Sequence, residues 1–192
     1  MIVRRLSALL VCAGCLAFAQ QEPAPVVAIA PPAPRTALEA FLARKDGIIA
    51  KEIHFLGRVA GARLETLILS QPAKDGPRPQ GLRIQISSER AIPGGDTALV
   101  DLDEVDGLAK ALTYMDTAIS EWQGSNRDYT EMVFTTQGDL QVGFSITSGK
   151  IQTFVKIGPP GATVTAVIDP VRFSTMKDLL DQAREYLAAV KH

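Results

Sequence analysis

Two stretches of the chain, 68 residues apart, carry the same pattern of apolar positions. In the first stretch, intervals of three and four separate Val105, Leu108, Leu112, Met115, Ile119 and Trp122. In the second, the same intervals separate Phe173, Met176, Leu180, Ala183, Leu187 and Val190. Such intervals place side chains on one face of an α-helix. We therefore predict two long helices, each with one buried face, over about 103–123 and about 170–190.

The correspondence continues upstream of both helices. At the same offset, Thr97 matches Thr165, Ala98 matches Ala166, Val100 matches Ile168, and Asp101 matches Asp169. A loop rich in proline and glycine comes before each of these segments, at 92–95 and at 157–161. A loop, a strand, an aspartate and a helix that recur in register indicate a duplicated unit.

The segments before each helix have the period of strands. Leu82, Ile84 and Ile86 alternate with polar residues, which is typical of a strand with one buried face. The same reasoning predicts strands at 49–58, 63–70, 82–87, 97–102, 129–136, 140–147, 150–157 and 163–168. We predict an α+β domain over 36–192 with two pseudo-repeated ββββα units, at about 47–123 and 129–191. Each antiparallel sheet would be covered by one long helix.

A short helix should open this domain. Thr36 and Glu39 have the spacing of a capping box, in which the side chain of each residue accepts the backbone N–H of the other. Leu38, Phe41 and Leu42 would form its apolar face. We expect the helix to stop at 46–47, where a glycine can take positive φ.

The N-terminus has the features of a secretory signal peptide. Arg4 and Arg5 precede an apolar run at 6–16 that is too short to span a bilayer, and Ala17 and Ala19 match a cleavage site. We expect residues 1–19 to be removed and a bacterial protein to be exported to the periplasm or secreted. Lipoprotein anchoring at Cys15 is the alternative. Residues 20–35, rich in proline and alanine, would form an extended linker.

Charge and cysteine content narrow the function classes. The net charge is −1 and would be about −3 without the two arginines of the signal. This balance does not attract nucleic acid or anionic membranes through bulk charge. Cleavage would also remove both cysteines, Cys12 and Cys15, and with them disulfide and thiol chemistry.

The densest charge cluster lies at the start of the first long helix. Asp101, Asp103, Glu104 and Asp106 do not fit the spacing of a calcium-binding loop. We interpret Asp101 or Asp103 as a helix cap, with the other acids complementing the positive helix end. His54, on the first strand, is expected to face solvent or to cap a sheet edge. With His192 it completes the histidines of the chain, so a His-rich zinc site is excluded.

The polar faces of the strands are the candidate ligand-binding surface. If their apolar neighbours point inwards, these side chains point outwards: Arg83, Gln85, Ser87, Gln141, Ser145, Gln152 and Lys156, with Phe154 among them. Such a surface could bind a peptide, a glycan or an extended strand of a partner. The alternative is a solvated sheet, or one partly covered by the other unit.

Two resemblances bear on these predictions. The order ββββα, repeated, resembles that of the Whirly and PUR families, which bind single-stranded nucleic acid through basic and aromatic sheet surfaces. The signal peptide and the acidic balance argue against carrying that function over. Residues 101–108 (DLDEVDGL), 110–112 (KAL) and 136–140 (TQGDL) are similar to patterns in uncharacterised exported bacterial proteins. That similarity implies the domain boundaries and no activity.

The leading hypothesis from the sequence is an exported, non-catalytic binding or structural module without a cofactor. Its partner would be an unknown protein, peptide or glycan. The alternatives are a single-stranded nucleic-acid-binding protein of Whirly/PUR-like architecture and a hydrolase that uses aspartate and glutamate residues.

Overall fold

The computed structural model describes residues 33–45, 47–72, 76–87, 96–159, 161 and 163–190. The predicted signal peptide, Cys15, the linker up to residue 32, and the whole loop at 92–95 lie outside the described residues. Residues Ala33–His192 belong to one compact unit. Within the described ranges, no helix is both long and apolar enough to cross a membrane.

The described residues form eight strands in two antiparallel sheets, each in chain order. The first sheet contains β1 (Ala50–Val59), β2 (Ala62–Ser70), β3 (Gln80–Ile86) and β4 (Thr97–Asp101). The second contains β5 (Tyr129–Thr135), β6 (Leu140–Thr147), β7 (Lys150–Ile157) and β8 (Val164–Ile168). Helix α2 (Leu102–Trp122) follows the first sheet, and α3 (Phe173–Ala189) follows the second. The predicted α+β fold of two ββββα units is confirmed.

The apolar stripes of the two long helices are buried as the spacing predicts. In α2, Val105, Leu108, Leu112 and Met115 are buried, while Ile119 and Trp122 are partly buried at its end. Five stripe residues of α3 are buried as well, and the sixth, Val190, lies just beyond the helix and is partly buried; the five are Phe173, Met176, Leu180, Ala183 and Leu187. Each large buried side chain contributes about 1.5–3 kcal/mol, so these stripes supply much of the stability.

A single main core joins the two units. The inner faces of both sheets and the apolar faces of α2 and α3 contribute to one cluster of buried residues. Helix α2 contacts β3 and β4 of its own sheet and also β5 and β6 of the other. Helix α3 packs on β1, β2 and β3, so the helix that ends the second unit covers the first sheet. Gly57 of β1 provides the space, because a Cβ there would stand 2.9 Å from the Leu179 side chain.

The first helix, α1 (Ala37–Leu42), is shorter than predicted. It ends five residues before position 47, and the next three residues, at 43–45, are exposed and bury no apolar surface. Thr36 caps it as expected, since its hydroxyl accepts the N–H of Glu39. The carboxylate of Glu39 accepts the N–H of Arg35 instead of closing the predicted capping box.

The predicted start of α3 also needs a correction. Asp169 caps the segment, with its carboxylate accepting the N–H of Val171 at 3.0 Å. The next three residues, Pro170–Arg172, form a turn of 3-10 helix, and the α-helix begins only at Phe173. Tight 3-10 turns are frequent at helix N-termini.

Helix α1 covers part of the outer face of the first sheet, the face turned away from the main core. Leu38 and Phe41 form a small second cluster with Leu67, Leu69 and Leu99. No helix among the described residues covers the rest of this face, and we call it the open half of the first sheet. It carries Phe55 and Arg58 of β1, Arg63 and Glu65 of β2, and Arg83 and Gln85 of β3.

Candidate ligand-binding site

Strand register places six side chains of the open half in two neighbouring rows. One row runs across three strands from Phe55 through Glu65 to Arg83. The next row runs from Arg58 through Arg63 to Gln85. Since residues two apart in a strand share a face, the rows form one continuous surface.

A β-bulge brings Arg58 to this surface. The register of β1 against β2 shifts between Phe55 and Gly57, so Leu56 is the extra residue. In a regular strand, Phe55 on the outer face would leave Arg58 on the inner face, because side chains alternate. The bulge restores Arg58 to the side of Phe55, opposite Arg63. Bulges commonly re-aim side chains in this way.

The centre of the open half is a buried carboxylate held by two arginines. Glu65 is 0% exposed. Arg63 donates to Oε1 from Nε at 2.6 Å and approaches it with Nη2 at 2.5 Å. Arg83 does the same to Oε2, at 2.7 Å and 2.5 Å. Both oxygens of Glu65 are therefore engaged, and both guanidinium groups are fixed in orientation.

These contacts keep Glu65 ionised. Burial of the carboxyl group acts to raise the pKa of Glu65, because it disfavours the charged form. The hydrogen bonds from Arg83 and Arg63, together with their positive charges, outweigh burial and hold the pKa below its usual value of 4.5. At neutral pH the group of three therefore has two positive charges and one negative charge.

The edges of the cluster reach solvent. The side chains of Arg63 and Arg83 are 39% and 27% exposed, and Arg58 is exposed. Phe55 is 49% exposed, with the guanidinium carbon of Arg63 at 4.9 Å from its ring centre. Among the described residues, an aromatic ring and three cations thus share one accessible surface with a single carboxylate.

Of the candidate residues from the sequence, Arg83 and Gln85 lie in the open half. Arg83 is the partner of Glu65 described above, and Gln85 donates to the hydroxyl of Thr97 at 3.3 Å. Ser87 lies just beyond the end of β3 and is exposed.

The other candidates lie on the outer face of the second sheet. Gln141, Ser145 and Gln152 are partly or fully exposed there. Lys156 is 3.2 Å from Glu131 Oε1, and its Nζ stands 3.9 Å from the centre of the Phe154 ring. The structure thus divides the predicted surface between two sheets.

Phe154 differs from its predicted place on an accessible face. It is on the outer face but only 4% exposed. Its ring lies over Gly143, where a Cβ would stand 3.1 Å from Cζ. An aromatic side chain that covers a strand glycine is a recognised way to stabilise a sheet, so Phe154 has a packing role.

Three of the four acidic side chains at the start of α2 each make a separate contact. Asp101 has the N-cap position of α2 but makes no cap hydrogen bond to it, which corrects our interpretation. Its carboxylate instead accepts the N–H groups of Ala37 at 2.5 Å and Leu38 at 3.1 Å, and so caps α1. Glu104 accepts the N–H of Gln137, and Asp106 pairs with Arg184 of α3 at 2.6 Å.

Two further features lie beside α3. His54 is exposed, as expected, and its ring stacks on that of Tyr186 with centres 4.2 Å apart. A groove of about 700 Å³ between α2 and α3 is lined by side chains that include Asp106, Asp181 and Arg184. In the described part of the chain, no group of three or more metal-ligating side chains is arranged to hold an ion.

Sequence reasoning missed Glu65, Phe55, Arg58 and Arg63 as members of the candidate site. A signal was present, since Glu65 is the one acid in the apolar strand RLETLILS and Arg63 lies two positions before it. The contribution of Arg83 depends on the β2–β3 register, and that of Arg58 depends on the bulge. Neither can be derived from periodicity alone.

Comparisons with protein-family models, with curated proteins and with solved structures found no match to this chain. The resemblances in element order and in short patterns therefore stay predictions.

Proposed function

We propose that the protein is an exported, non-catalytic binding module whose open half of the first sheet binds an acidic partner protein or peptide. The observation that carries this proposal is the excess of arginine on that surface. Arg63 and Arg83 hold the carboxylate of Glu65, and Arg58 stands opposite Arg63, in a chain whose net charge is −1. A local patch of this kind attracts an acidic surface even when the whole molecule does not.

The exposed aromatic ring supports a binding role over simple solvation. Phe55 is half-exposed at the edge strand, and binding surfaces are enriched in aromatic residues and arginine relative to other surfaces. An acidic partner could contact the ring and the guanidinium groups together, since they lie in adjacent rows.

Binding assays with peptides of opposite charge test this function. Fluorescence anisotropy of the purified protein should show saturable binding of a labelled Glu-rich peptide that weakens with added salt, and none of a Lys-rich peptide. Combining Arg63→Gln with Arg83→Gln should weaken binding at least about tenfold, because it removes two charge-assisted contacts, and the comparison is made on protein that circular dichroism and a cooperative melt show to be folded. The control combines Arg44→Gln with Arg172→Gln, which makes the same change in charge elsewhere.

Single-stranded nucleic acid is the competing ligand class, and oligo(dT) belongs in the same assay. Tighter binding of oligo(dT) than of the acidic peptide would replace the proposal by the nucleic-acid-binding alternative. An equal effect of the two double substitutions would show that the open half is not the binding surface.

A further inference from the structure

The two outer faces can be compared position by position, because the units share their strand order and pairing. Leu99 of β4 and Val167 of β8 have the 68-residue offset, and they pair with Arg83 and Phe154, so Arg83 corresponds to Phe154. Arg83 pairs in turn with Glu65, and Phe154 with Gly143, so Glu65 corresponds to Gly143. One row further, Gln85 matches Lys156 and Arg63 matches Gln141 by the same registers. The candidate site thus has a structural counterpart in the second sheet.

The counterpart in the second sheet shows which side chains are sufficient to close the outer face at this place. In the second sheet, a glycine and the phenylalanine that covers it close the outer face with apolar contact. In the first sheet the same two positions hold a buried carboxylate and one of its arginines. Removal of such charges from water is costly unless they are fully paired. Because the second sheet closes the same place with apolar contact, packing does not require a carboxylate and an arginine in the first sheet.

Arg63 and Arg83 have N–H donors that do not face Glu65. A guanidinium has five N–H donors, of which Nε–H and one Nη2–H face the carboxylate. In the part of the chain that the structure describes, no other acceptor contacts the remaining donors of Arg63 or Arg83. Opposite Arg63 stands Arg58, and like charges directly across strands repel each other. A bound anion would reduce this repulsion.

We propose that Glu65 holds Arg63 and Arg83 as a preorganised receptor for carboxylate groups of an acidic peptide, with an apolar residue of that peptide against Phe55. This inference rests on the proposed function and specifies how the site recognises its ligand. Fixed guanidinium groups suit carboxylates because the planar donors match two oxygens at once. Orientation by Glu65 lowers the entropy that binding would otherwise cost.

Glu65→Gln separates preorganisation from bulk charge. This substitution adds one positive charge to the patch, so attraction by charge alone predicts tighter binding of a labelled peptide of alternating glutamate and leucine. Preorganisation predicts binding at least about fivefold weaker, because each arginine contacts a different oxygen of Glu65 and the amide nitrogen of a glutamine replaces one of these acceptors by a donor. The slope of log Kd against log salt should not decrease in the variant, whereas a damaged patch would lower it. Tighter binding by Glu65→Gln would overturn the inference.

Two further variants keep the test informative. Arg63→Lys combined with Arg83→Lys retains both charges without the planar donors and should also weaken binding at least about fivefold. Arg63→Gln, Glu65→Gly and Arg83→Phe together copy the second sheet. This triple variant should fold, as judged by circular dichroism and a cooperative melt, and should lose peptide binding.

The outcomes distinguish this inference from the proposed function. If the wild-type protein does not bind the acidic peptide, both fail. If it binds and Arg63→Gln with Arg83→Gln abolishes binding, but Glu65→Gln and the lysine variant bind as tightly as wild type, the proposed function stands and the preorganised receptor is excluded.

Discussion

Glu65 occupies the position that Gly143 holds in the second sheet, and its carboxylate orients two arginines. The price of burying that charge is offset only while both partners are present. Loss of either arginine would leave a buried carboxylate short of donors, which is more destabilising than loss of an exposed ion pair. Binding and stability are therefore coupled at this residue.

The lowered pKa of Glu65 predicts an acid-sensitive contribution to stability. Because the folded-state pKa lies below 4.5, this contribution is fully present above the pKa of the unfolded chain and is lost as the pH falls through the folded-state value. Denaturant unfolding across a pH series should show the difference in unfolding free energy between wild type and Glu65→Gln shrinking below pH 4.5. A difference that is constant with pH would contradict this prediction.

At the scale of elements, the apolar stripes of α2 and α3 predict which substitutions disrupt folding. Leu180 is fully buried on α3, so Leu180→Asp places an unpaired charge in the main core. We expect a loss of several kcal/mol, or no soluble protein. Gln182→Asp, at an exposed position of the same helix, is the control and should have a small effect. Cooperative unfolding of Leu180→Asp near the wild-type midpoint would disprove the assignment.

The positions of the helices and strands were predictable from the sequence, whereas their contacts with distant parts of the chain were not. Periods of two and of three to four residues located the strands and both long helices to within a few residues, because they reflect which side of an element is buried. The partner of Asp101 is more than sixty positions away in the chain, so its capping of α1 has no local signal. The stripe of α3 likewise shows that one face is buried, without showing that β1–β3 bury it.

At the scale of the whole molecule, the shared core predicts one cooperative unfolding transition. Trp122, the only tryptophan, meets Phe144 of the second sheet edge-to-face at 5.7 Å between ring centres, so its fluorescence reports contact between α2 and that sheet. Denaturation followed by this fluorescence and by far-UV circular dichroism should give the same midpoint. Separate midpoints would show that the two sheets unfold independently.

The place of α3 on the first sheet has a consequence for the order of synthesis. The first sheet is complete by residue 101, but α3, which packs on its inner face, is formed only by Phe173–Ala189. A ribosome makes the N-terminal sheet well before it makes this cover. The inner face of the first sheet therefore stays incompletely covered until α3 has been made, and the native core can close only then. The two units therefore complete their folding together.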